Sequence, residues 1–169
     1  MRIPLGPVSV IGTLLLLGGL QVAQQKVAPN DAKARAAIEP TLKNFLDAWN
    51  AHDAQAFART FTPDADFTNV IGMHAHGRAN VETFHATVFA TVFNHSHQTA
   101  QIRNIRFLAP RLAAVDVDWQ MTGATDRDGR PRSDRNGLLD WIMAKQPDGS
   151  WLIEIMHNTE LTNAPATAK

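Results

Sequence analysis

The sequence predicts an α+β domain, with helices in the first half and a curved antiparallel sheet in the second. Three observations carry that prediction. Ile38, Leu42, Phe45, Leu46 and Trp49 recur at three- and four-residue steps, which gives a helix one apolar face. Four long strand-like runs fill the second half, separated by turn residues at Ala109-Pro110, around residues 126–130 and at Pro147-Asp148-Gly149. Within one run, Ala113, Val115, Val117, Trp119 and Met121 alternate with Ala114, Asp116, Asp118, Gln120 and Thr122. Helices followed by an antiparallel meander form the α+β pattern. A curved sheet around a long helix leaves a cavity at its open end.

The first helix is predicted from about Asp31 to Ala51, with Asn30 or Asp31 as its cap. Pro40 is expected to kink it or to begin its main segment. A second, short helix is expected over Ala54 to Phe61, capped by Asp53 and broken by Thr62-Pro63-Asp64. A short strand, Asp66 to Ile71, leads through Gly72 to a second strand holding His74 and His76. The third helix is expected over Arg78 to Phe93, with Val81, Phe84, Val88 and Val92 on one stripe. The four strands follow at about 97–108, 111–125, 136–145 and 151–161. No internal repeat interrupts this order.

Composition narrows the chemistry. The chain has 169 residues, 16 basic and 16 acidic, so it suits one domain with a short extension and gives no electrostatic reason to expect nucleic acid as a partner. Arg127, Arg130, Arg132 and Arg135 interleave with Asp126, Asp128 and Asp134, which reads as a solvated hairpin turn. Cysteine and tyrosine are absent. That removes disulfides, thiolate ligands, a cysteine nucleophile and a phenolic acid or oxyanion donor.

Residues 1–23 have signal-peptide anatomy: Arg2, an apolar run from Val8 to Leu20, then small residues and Ala23. The run is shorter than the roughly 20 residues needed to span a bilayer. The expected organisation is a signal at 1–23, a linker at 24–31, the domain at 32–162 and a disordered tail at 163–169. The protein is therefore expected in the periplasm or outside the cell, with no stable membrane span after processing.

Seven histidines stand out: His52, His74, His76, His85, His95, His97 and His157. With cysteine and tyrosine missing, histidine is the side chain suited to proton exchange near neutral pH. His74 and His76 share a strand face, as do His95 and His97, but no carboxylate accompanies them in a metal-binding spacing, so no metal is expected. The four tryptophans read first as core. Trp119 is the strongest pocket candidate because its strand face is the inward one, and Trp49 joins it as a ligand-binding candidate. On the last strand His157 and Asn158 alternate, so only one faces the cavity. Trp151, Ile153 and Ile155 share the parity of His157, which places Asn158 outside unless a bulge intervenes.

These landmarks together resemble a known family. Trp49-Asn50 with Asp53, Phe61-Thr62-Pro63-Asp64-Ala65, Asn69-Val70-Ile71-Gly72, Gly77-Arg78, His85, Trp119 to Gly123 and His157-Asn158-Thr159 resemble the SnoaL-like domains of the nuclear-transport-factor-2-like superfamily. The GMH, GR, helix-histidine and HNT combination is similar to the SgcJ/EcaC-type branch, whose members are often labelled oxidoreductases. The resemblance implies a cone-shaped, cystatin-like half-barrel with one pocket, three helices on the sheet, and frequent dimerisation through the sheet. It implies that His74 and His85 reach the pocket as a base and acid pair, with Asn69 orienting a carbonyl. Ketosteroid isomerases are similar in fold, but Asn69 stands where their general-base aspartate would be and Phe45 where their oxyanion tyrosine would be, so that chemistry is excluded. No flavin or dinucleotide fingerprint is present, and no cofactor is expected.

Three functions follow as expectations. The first is cofactor-free acid/base chemistry on a small, mostly apolar molecule. The second is a non-catalytic exported module that binds such a molecule. The third is a dimeric assembly domain, as in the association domain of calcium/calmodulin-dependent kinase II.

Overall fold

The computed structural model describes residues 29–161. The expected signal segment, the start of the linker, residue 162 and the tail at 163–169 lie outside the described residues. Helix α1 spans Pro29–Asn50, so the last three residues of the expected linker are already helical. Pro40 neither starts nor ends this helix. It faces solvent, as does Ala36, so the carbonyl that its missing N–H leaves free can be taken by water. The buried stripe Ile38, Phe45, Ala48 and Trp49 packs on the sheet, and the buried Thr41 hydroxyl donates to the Trp151 carbonyl at 2.5 Å. The helix ends where His52 turns left-handed (φ 53°) and the Asp53 N–H reaches back to the Ala48 carbonyl at 2.9 Å. Asp53 then caps the next helix, accepting from the Ala56 N–H at 2.8 Å.

That second helix, α2, covers only Ala54–Ala58. Thr60 closes it on the Phe57 carbonyl, and Phe61 opens strand β1 (Phe61–Thr68) instead of ending the helix. Pro63 therefore lies in a strand. It falls in the irregular stretch between Phe61 and Asp66 where the register against β6 (Trp151–Glu160) shifts, so its missing N–H removes no ladder bond. Strand β2 is His74–His76 and helix α3 is Arg78–Phe89, four residues shorter than expected. The meander is β3 (His97–Ala109), β4 (Leu112–Thr122), β5 (Arg135–Lys145) and β6.

The six strands lie in the order β2-β1-β6-β5-β4-β3, an open sheet with β2 and β3 at its edges. The expected antiparallel sheet has one exception, because β1 pairs parallel with β6. β1 and β6 lie far apart in sequence, and no tight turn dictates their direction. The alternation of β4 holds: Ala113, Val115, Val117, Trp119 and Met121 are all buried, and the intervening side chains are not. Three helices thus pack on the inner face of a curved α+β sheet.

Candidate functional site

A cavity of about 1080 Å³ opens between the inner face of the sheet, helix α3 and three loops, residues 69–73 after β1, 91–95 after α3 and 125–132 between β4 and β5. Apolar surface makes most of its wall, while about half of the lining residues carry polar side chains.

His85 is the first of those groups. Position 85 lies one turn below Phe89 and one above Val81 on the buried stripe of α3, which forces the imidazole inward. It is 2% exposed and lies within 4.0 Å of Phe57 and 5.0 Å of Phe67, centroid to centroid. Burial pushes its pKa down to about 4, against the opposing pull of the Val81 carbonyl. The ring is therefore neutral at neutral pH. Its Nδ1–H donates to that carbonyl at 2.8 Å, which leaves the lone pair on Nε2.

His74 does not join it. The expected pair is separated because β2 turns His74 and His76 to the exposed side of the β1–β2 ribbon, outside the cavity wall. Both rings meet Asp66 Oδ1 there, His76 Nδ1 at 2.8 Å and His74 Nε2 at 3.2 Å. The bond from His76, with help from His74, holds the Asp66 carboxyl below its ordinary value. Asn69 does line the cavity, yet its Oδ1 accepts from the N–H groups of Ile71 (3.0 Å) and Met73 (2.9 Å). That oxygen shapes the loop, and only the amide NH₂ remains for a ligand.

Trp49 and Trp119 both line the cavity. Trp49 Nε1 donates to Ser96 Oγ at 3.2 Å, and Trp119 Nε1 to Asn158 Oδ1 at 2.9 Å. Asn158 faces in and His157 faces out, the reverse of the simple alternation. The reason is a bulge: Ile142 pairs with Ile155 and Met143 with Ile153, so β6 carries an extra residue at Glu154. Ile153 and Met156 then both face the core, and every later residue changes side.

Sequence reasoning missed two polar groups in the wall. Gln98 is 2% exposed and lines the cavity, and its Oε1 has no hydrogen-bond partner among the described residues. Asn50 clamps it by taking the Gln98 N–H (2.7 Å) and donating to its carbonyl (2.9 Å). The signal was available, because Gln98 shares the inward parity of Ala100 and Ile102 on β3. The second is Arg135, read from sequence as part of a solvated turn. It is buried instead, because it begins β5 opposite Met121 on the inner face. Glu160 accepts from it twice, at 2.7 and 2.6 Å, and its guanidinium lies 5.8 Å from the centroids of Phe93 and Trp119. That bidentate bond holds the Glu160 carboxyl below its usual value.

Among the described residues no group of three His, Asp or Glu side chains is arranged to hold a metal ion. Among the described residues the wall offers an apolar chamber, the buried neutral imidazole of His85, the exposed imidazole of His95, amide NH₂ groups at Asn69 and Asn158, and an unpartnered acceptor at Gln98. That set suits an apolar molecule held in orientation by a few hydrogen bonds.

Solved structures agree on the architecture. A domain of unknown function with a cystatin-like fold from Nostoc punctiforme PCC 73102 is 28% identical, with a TM-score of 0.67 over 78% of this chain and 79% of that one. An uncharacterized protein with a cystatin-like fold from Caulobacter vibrioides is 27% identical, with a TM-score of 0.70 over 77% and 91%. A nuclear transport factor 2-like superfamily protein from Salmonella enterica is 19% identical, with a TM-score of 0.64 over 82% and 98%, a likeness of fold alone. No curated protein matches the chain. The family model described as SnoaL-like domain matches residues 42–138, more than half of the sequence, and the chain belongs to that family.

Proposed function

We propose that this protein binds a small, mostly apolar molecule in its cavity and holds it without transforming it. One observation carries the reading: the buried imidazole of the chamber, His85, is ringed by Trp49, Phe57, Phe67, Phe84 and Phe89, while the other histidine of the wall, His95, is exposed. Acid/base catalysis at neutral pH works best with a group whose pKa lies near the operating pH and that lies within reach of the substrate. With His74 outside the wall and His95 exposed, no second histidine is buried with His85 among the described residues. At a pKa of about 4 only about one ring in a thousand is protonated at pH 7, so it serves poorly as an acid and is a weak base. As a neutral acceptor in the same wall as Gln98, it is well suited to a ligand hydroxyl or N–H.

The same reading places the chain in the SgcJ/EcaC-type branch, on the GMH, GR and HNT landmarks, without an oxidoreductase activity. It includes export, with residues 1–23 as the signal, and a homodimer through the outer sheet face.

The test is binding of N-phenyl-1-naphthylamine, a neutral apolar fluorophore, to the full-length protein and to Met156→Trp, which places an indole in the chamber. Enhanced, blue-shifted emission with the native protein and its loss in the variant are expected. Absence of enhancement, or equal enhancement in a folded Met156→Trp, overturns the binding reading.

A further inference from the structure

The charges at the cavity rim, balanced along the sequence, are sorted in space. Arg130 donates to Asp128 at 2.8 Å and lies 3.9 Å from Asp126 Oδ2. Asp126 Oδ1 is further engaged by the N–H groups of Asp128 (2.8 Å) and Arg130 (2.9 Å). Both rim carboxylates are thus satisfied within their own turn. Arg135 is spent on Glu160. Arg127 and Arg132 remain: both line the cavity, both are exposed, and neither forms an ion pair among the described residues. Arg132 acts on Glu160 only at longer range.

The other loop at the rim has the opposite character. Ile71 is 73% exposed and Met73 50% exposed, and both line the same cavity. Large apolar side chains held out at the mouth of an apolar chamber extend its surface toward solvent. A cavity with an aromatic interior, an apolar lip and two uncommitted guanidinium groups is complementary to a molecule with an apolar body and an anionic end.

We infer that the ligand is an amphipathic carboxylic acid, with its hydrocarbon part in the chamber and its carboxylate at Arg127 and Arg132. A guanidinium presents a planar fork of donors that matches a carboxylate, and two of them at one rim fix which end of the ligand enters. This inference rests on the binding reading above and adds the chemical class of the ligand.

The experiment displaces N-phenyl-1-naphthylamine from the full-length protein with dodecanoate and, separately, with 1-dodecanol. The two share a hydrocarbon chain and differ in head-group charge. Dodecanoate is expected to compete about tenfold better, the effect of two partly solvated charge contacts, and added salt is expected to shrink that margin. In Arg127→Gln/Arg132→Gln the margin is expected to vanish while 1-dodecanol competes as before. Arg59→Gln/Arg106→Gln, which removes the same charge away from the cavity, is expected to keep it. Equal competition by acid and alcohol in the native protein, or an undiminished preference in Arg127→Gln/Arg132→Gln, overturns the head-group assignment and leaves the apolar cavity standing. Failure of the fluorophore and of both competitors to bind overturns the binding reading, and this inference with it.

Discussion

The two ends of the inner sheet face are built from the same strands and serve opposite purposes. At one end Phe107, Ala113, Met143 and Ile153 lie in one cross-strand row, and Ile105, Val115, Trp141 and Met156 in the next. Phe45 closes over these rows, 5.2 Å from Trp141, and the space is filled as far as Phe45 and Met156, where the cavity begins. At the other end polar and small residues enter the rows: Leu139 faces Asn158, Gly137 separates Trp119 from Glu160, and Gln98, Met121 and Arg135 complete the last row. There helix α1 has ended, and α3 with three loops stands off from the sheet. The filled end supplies stability by burial, and its unpartnered polar atoms are the Trp141 and Trp151 indole N–H groups, whereas the open end gathers Gln98, Arg135 and Asn158 around the cavity. One strand set can therefore anchor a fold at one end and present a site at the other.

A matched pair of methionines tests that contrast most strongly. Met143 and Met156 are both fully buried, but only Met156 borders the cavity. Met143→Ala is expected to cost about 3 kcal/mol, measured by urea unfolding, because it opens a void in a filled region. Met156→Ala is expected to cost at least about 1 kcal/mol less, since one side of that residue already lacks packing partners. Equal costs would mean that the chamber is collapsed in solution.

Acid titration addresses the open end. Folding keeps His85 neutral, so between about pH 6.5 and 4 the unfolded chain binds a proton that the folded chain does not. The stability tied to this site is complete above pH 6.5 and falls as the pH drops toward 4, by up to about 3 kcal/mol. His85→Gln is expected to flatten that slope in urea titrations compared at pH 7 and pH 4.5. A variant with the native slope would place the proton-sensitive group elsewhere.

Gly137 belongs to the open end, between Trp119 and Glu160. A Cβ there would collide with the Thr159 carbonyl and with the Trp119 ring, and the carbonyl belongs to a paired strand that cannot yield. Gly137→Ala is expected to cost about 2 kcal/mol and to displace Trp119 from Asn158, visible as a shift in tryptophan emission. The smallest effect belongs to the outer face. Asp116 and Asp140 lie directly opposite each other, with Arg103 paired to Asp118 beside them. Asp116→Asn is expected to stabilise the protein by less than about 0.5 kcal/mol in thermal unfolding, by relieving a like-charge pair.

Much of the fold was legible because its signals are local. Periodicity of three and four along Ile38 to Trp49, strict alternation from Ala113 to Met121, and turn residues at Ala109-Pro110 and Pro147-Asp148-Gly149 act over a few residues, and each element formed near its expected bounds. The second helix ended early for a non-local reason: Thr62-Pro63-Asp64 reads as a helix stop, but Phe61 is already taken by the strand through its pairing with the distant Ile153. In the site, Trp49, Trp119, Asn69 and His85 were legible as cavity residues, whereas His74 and His157 were not excluded until their strands were placed.

The sequence by itself determined the α+β class, the inward face of β4, the absence of thiol and phenol chemistry, and the histidine on the buried stripe of α3. Only the tertiary structure decided that Asn158 faces in, that His74 and His85 are apart, and that Arg127 and Arg132 stand uncommitted while Arg130 and Arg135 are paired. The physical reason is the range of the interactions. Side-chain periodicity follows from backbone geometry within one element, while a bulge at Glu154 depends on the register of neighbouring strands, and the partner of a charge depends on which distant carboxylate the fold brings within reach.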